Sequence, residues 1–111
     1  MTLVGETTHW AVLVRPEQPT LGSLVLICRE PVTAFGEVSP AAFAEMGSVV
    51  ARIEALLRDF TGYAKINYLM LMMVDPDVHF HVIPATRAAA SITASRCRMP
   101  AGPALRRWAR P

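Results

Sequence analysis

The sequence predicts an α+β domain in which an antiparallel sheet of about four to five strands carries one main helix on its face. Three observations lead there. Short runs rich in Val, Leu and Ile are bounded by Pro or Gly, one long segment has helical periodicity with clear start and stop signals, and the order of elements is β, β, α, β, β. With 111 residues the chain forms one domain, long enough to bury roughly two thirds of the surface its unfolded form exposes.

Each element has its own local reason. "WAVLVRPEQPTLGSLVLICREP" reads as two strands, residues 10–15 and 23–28, joined by the turn "PEQPTLG". The helix lies in "EVSPAAFAEMGSVVARIEALLRDFTG". Ser39 is placed to accept from a free backbone N–H as N-cap, Pro40 suits the first helical position, and Gly62 stops the helix. Phe43, Met46, Val50, Ile53, Leu57 and Phe60 recur at three- and four-residue spacing and form the expected apolar face, leaving Glu45, Arg52 and Glu54 to water. "KINYLMLMMV", residues 65–74, is short and apolar on both faces, as a central strand would be. A "DP" turn then leads into a last strand at residues 78–84.

Composition excludes several classes. Hydrophobic residues make up 52% and charged residues 18%, yet no apolar run reaches the ~18 residues of a membrane span. The N-terminal "MTLVGETTHW" has no basic flank before an apolar segment, so a cytoplasmic protein is expected. Cys28 and Cys97 form neither a disulfide framework nor a zinc-site spacing and are expected to be free thiols. Charge is split along the chain. Residues 1–84 carry five basic groups and all nine acids, whereas residues 85–111 carry six arginines and no acid. The second segment is expected to be a disordered or loosely attached tail, and the alternative of a basic arm for nucleic acid stays open.

The chemistry is concentrated in "VDPDVHFHVIP". Strand alternation would place Asp77, His79 and His81 on one face and Val78, Phe80 and Val82 on the other. A histidine pair of this kind can be purely structural, but a carboxylate in the same row suggests a site. One reading is a metal ligand set, although Asp77 and His81 would stand roughly 13 Å apart along a strand. The other is nucleophilic attack by a neutral imidazole on a nucleotide α-phosphate, followed by hydrolysis of a nucleotidyl-histidine.

"NYLMLMMVDPDVHFHVIP" resembles the histidine triad (HIT) superfamily, whose motif is His-φ-His-φ-His-φ-φ with φ hydrophobic, and within it the bacterial proteins related to dinucleoside polyphosphate hydrolases. The resemblance runs over residues 10–84. It implies a nucleotide hydrolase or transferase, commonly a homodimer, with a nucleotide substrate, no cofactor and no obligatory metal in the chemical step. By position, His79 corresponds to the family's nucleophile and His81 to the third histidine. Asp77 stands where the first histidine would be, and an ionised carboxylate there would oppose an anionic substrate. Asn67 resembles a position that touches the nucleotide, and Ser23 stands where relatives often have a further histidine. The domain is thus expected to occupy residues 1–84.

Beyond Pro84 the resemblance stops. Relatives continue through "RY" into a Gly- and Pro-rich tail, whereas this chain reads "ATRAAASITASRCRMPAGPALRRWARP". Back-translated with one C placed before the Ala85 codon, the neighbouring frame can read "RYEGGGVDHGLALPDAGWPGPPALGEA", which resembles the expected tail at both ends. A frameshift at this point is the reading the composition favours.

Overall fold

The structure is a computed structural model, and it describes residues 2–86. Five strands and one long helix are present: β1 (Thr2–Glu6), β2 (Trp10–Val14), β3 (Leu24–Cys28), α1 (Pro40–Thr61), β4 (Lys65–Leu69) and β5 (His79–Ala85). A single 3-10 turn, Phe35–Glu37, precedes the helix. The strands form one sheet in the order β1-β2-β3-β5-β4, with every neighbouring pair antiparallel. The predicted α+β class with one main helix is therefore what the chain adopts.

Helix α1 starts and ends as its sequence dictates. The Ser39 hydroxyl accepts from the Ala42 N–H at 3.1 Å, and Gly62 takes the left-handed conformation, φ 62°, with its N–H donating to the Arg58 carbonyl. Its buried line is Ala42, Val49, Ile53, Leu56 and Leu57. This differs from the predicted face. Met46, Val50 and Phe60 only flank the core, and Phe43 is exposed, meeting Phe35 edge to face at 5.4 Å. The reason is Trp10. Its indole is fully buried and donates to the Ala42 carbonyl at 2.8 Å, so the helix sits closest to the sheet at an alanine. The helix acids also differ from expectation: Glu45 accepts from the Thr7 hydroxyl and the His9 N–H, and Glu54 accepts from the Tyr68 hydroxyl at 2.8 Å.

Two strand expectations are corrected. Residues 2–6 form a strand that sequence reading passed over; it pairs with β2 through an irregular register between Leu3 and Gly5, and only Val4 of its large side chains is buried. Residues 65–74 do not form a central strand. β4 ends at Leu69 and lies at the edge of the sheet, while Leu71, Met72, Met73 and Val74 are exposed. An uninterrupted apolar run looks doubly buried in sequence, but here the run continues past the last sheet hydrogen bond. The methionines of this run are thus divided, with Met70 against the core and Met72 and Met73 outside.

The β2–β3 connection is built around Gln18, which is 1% exposed. Its amide nitrogen donates to the Arg15 and Ser23 carbonyls, and its oxygen accepts from the Gly22 and Ser23 N–H groups. Gly22 has φ 92°, and a Cβ there would lie 2.9 Å from Thr61 Cγ2, so only glycine suits the approach of this turn to the helix end. The Thr20 hydroxyl donates to the Pro84 carbonyl, fastening the turn to the end of β5. Among the described residues no helix is long and apolar enough to cross a membrane. The expected boundary after Pro84 falls inside β5, which continues to Ala85 opposite Lys65. The expectations for residues 87–111, including Cys97 and the basic arm, lie outside the described residues.

Candidate active site

Strand β5 sits inside the sheet between β3 and β4, which fixes its side-chain directions on both sides. Val78 and Val82 are fully buried in the core beneath the helix, and Phe80 packs against it, 5.8 Å from Phe35 and 6.4 Å from Trp10. Trp10 therefore belongs to the core and not to a base-stacking surface. His79, His81 and Ile83 take the opposite face. Register places them beside Ile27 and Val25 of β3 and beside Leu69 and Asn67 of β4.

The two histidines meet edge to face with ring centroids 5.2 Å apart. Asp77 does not extend the row. It precedes the strand in a bend, its side chain is exposed, and its N–H donates to the Asp75 carboxylate at 3.0 Å. The expected row of three is therefore two histidines, because the chain bends at Asp77 and enters the strand only at His79. What Asp77 supplies is its backbone: the carbonyl lies 2.7 Å from His79 Nδ1. A carbonyl can only accept, so Nδ1 is the donor, and in the neutral ring Nε2 keeps its lone pair. His79 is only 6% exposed, and this bond fixes its ring as well as its tautomer.

His81 is in a different state. Its Nδ1 is buried and has no hydrogen-bond partner among the described residues. Burial pushes its pKa below the ordinary histidine value of 6.5, and the positive charge of Arg15 and the neighbouring His79 push the same way. At neutral pH His81 is an uncharged imidazole beside His79. Asn67 donates from Nδ2 to the Ile83 carbonyl at 3.0 Å, so one part of its amide is engaged by the backbone and Oδ1 accepts no hydrogen bond from the described residues. Ser23 is fully buried, and its hydroxyl donates to the Thr20 carbonyl. It is therefore a turn residue.

Other titratable groups are engaged elsewhere. His9 lies with Nδ1 3.1 Å from Glu45 and ties the β1–β2 connection to the helix. Cys28 is free and buried, and burial pushes its thiol pKa up, away from a reactive thiolate. Among the described residues no group of three or more His, Cys, Asp or Glu side chains is arranged to hold a metal ion. The Asp77, His79 and His81 ligand set does not converge, because Asp77 turns away before the strand begins.

The antiparallel sheet with its one long helix resembles the fold of histidine triad proteins of known structure. A histidine triad protein from Bradyrhizobium japonicum matches with a TM-score of 0.73 at 21% identity, over 96% of this chain and 88% of its own. A hypothetical histidine triad nucleotide-binding protein from Sulfolobus tokodaii matches at 0.66 and 20% identity, over 75% of this chain and 59% of its own. The NitFhit protein of C. elegans matches at 0.72 and 20% identity over 85% of this chain, which spans only 24% of that protein. No family model matches the sequence, and neither does any curated protein. At these identities the likeness defines the fold.

Proposed function

We propose that this chain is a cytoplasmic member of the histidine triad superfamily, in its bacterial dinucleoside polyphosphate hydrolase-like branch, and that it transfers or hydrolyses nucleotidyl groups. The observation that carries this reading is the Asp77 carbonyl on His79 Nδ1, which leaves Nε2 as an unprotonated nucleophile. Nε2 attacks the α-phosphorus, the P–N bond forms, and the bond to the leaving phosphate breaks with its electron pair going to the departing oxygen. Water then attacks the same phosphorus and gives up a proton to solvent, the P–N bond breaks, and its electron pair returns to Nε2 as the nucleotide leaves. Neutral His81 stands beside the reacting ring without adding a positive charge that would compete for the lone pair. Asn67 offers Oδ1 to the nucleotide while its Nδ2 holds the backbone. No metal or cofactor is assigned to the chemical step.

In this scheme Asp77 acts through its backbone. Asp77→Ala keeps the carbonyl and is expected to change kcat/KM by less than about tenfold. A loss approaching that of a nucleophile variant would instead make the carboxylate a participant. The overall reading is tested with a panel of dinucleoside polyphosphates and nucleoside phosphoramidates, run on this chain beside a version carrying the alternative-frame tail. Turnover of none of these by either version overturns it, and tight nucleotide binding without turnover reduces the protein to a binding module.

The outer edge of β4, which pairs with no further strand among the described residues, and the exposed Leu69, Leu71, Met72, Met73 and Val74 beside it support a homodimer in which two sheets join through this strand. Sedimentation is expected to give the mass of two chains. A single-chain mass at micromolar concentration would exclude that assembly.

A further inference from the structure

Arg15 has no role in the chemistry above, yet its position is tightly specified. Its N–H donates to the Ser23 carbonyl, and its own carbonyl accepts from the buried Gln18 amide. Val14 pairs with Leu24, and Leu24 pairs with Val82. Continuing both registers by one residue aligns Arg15, Ser23, Ile83 and Asn67 across the sheet, on the face that also carries His79 and His81. Arg15 is two strands from β5, about 10 Å at ordinary strand spacing, and one step beyond the His81 row. His79, His81 and Arg15 thus lie in order along a diagonal of one face.

The guanidinium makes no ion pair or hydrogen bond among the described residues. Glu17, two residues on, is exposed on the turn and does not pair with it. The charge is close enough to His81 to disfavour its protonation. A half-buried arginine with a firmly held backbone, on the same face as two histidines, leaves positive potential with nothing to answer it, and a forked guanidinium is well suited to phosphate oxygens.

We propose that Arg15 binds the phosphate chain of the substrate beyond the phosphate attacked by His79, and so selects nucleotides with a polyphosphate leaving group over those with an uncharged one. This rests on the nucleotidyl-transfer reading for its kinetic consequence, but the binding it asserts does not. Inorganic tripolyphosphate is the probe, titrated calorimetrically into the wild-type chain, Arg15→Gln and Arg15→Lys. Arg15→Gln is expected to weaken binding about tenfold or more, with Arg15→Lys in between and both variants keeping the wild-type melting temperature. Equal affinity in wild type and Arg15→Gln, or no binding by wild type, overturns the proposal. In turnover, Arg15→Gln should raise KM for a dinucleoside polyphosphate about tenfold while leaving kcat and the KM for a nucleoside phosphoramidate near wild type. Equal losses on both substrates would also overturn it. If wild type turns over neither substrate, the nucleotidyl-transfer reading fails, and the tripolyphosphate titration still decides Arg15.

Discussion

Replacing His79 with alanine is expected to lower turnover of a dinucleoside polyphosphate or nucleoside phosphoramidate about a thousandfold or more, on the order of 4 kcal/mol of transition-state stabilisation. The size follows from the mechanism. Without Nε2 no covalent intermediate forms, and water would have to attack the phosphorus directly, with only His81 left on the strand to take its proton. The variant also leaves the Asp77 carbonyl without its donor, so its folding must be followed alongside its rate. A thermal melt separates the two effects, because loss of rate in a folded variant belongs to the chemistry. Acid-labile trapping of labelled nucleotide on the wild-type chain, absent in the variant, gives the direct signature. Unchanged turnover in His79→Ala would remove the nucleophile assignment altogether.

Gln18→Ala is expected to have the largest effect on stability outside the apolar core, roughly 3–5 kcal/mol. The amide satisfies both sides of one turn, and its removal orphans the Gly22 N–H and the Arg15 carbonyl while weakening the bonding at Ser23. Each buried orphan costs about 1–3 kcal/mol, and the emptied volume adds to that. For a domain of this size the melting temperature should fall by roughly 15 °C or more. Gln18→Glu separates the two halves of the network, since a carboxylate can accept from Gly22 and Ser23 but cannot, when ionised, donate to the Arg15 and Ser23 carbonyls. It too should be strongly destabilising. A melting temperature within a few degrees of wild type for Gln18→Ala would show that the turn finds other partners.

The link between these two predictions is spatial. The Gln18 turn holds Arg15 at one end and, through Thr20 and Pro84, the end of the histidine strand at the other. Loosening it is expected to disturb the site without touching a reacting group.

Much of this was legible in the sequence because it depends on local geometry. A serine followed by proline starts a helix, and a glycine with positive φ ends it, whatever lies around them. Alternation in "VHFHV" sends the histidines one way and Val78, Phe80 and Val82 the other, because a strand has no other period. What the sequence could not hold is where separate segments meet. The apolar run 65–74 could not announce that its partner strand lies on one side only, nor could Ala42 announce that an indole would seat against it. Nothing local in the turn "PEQPTLG" singles out Gln18, and only the folded hairpin makes its amide the centre of four hydrogen bonds. The donor role of His79 Nδ1 was decided by tertiary structure as well: the bend at Asp77 leaves its side chain in solvent and presents its carbonyl instead. Residue types and their periods therefore determined the class of fold and the two histidines. Chain crossings determined which of their atoms is free to react, because burial and hydrogen-bond partners are properties of the whole fold and not of a segment.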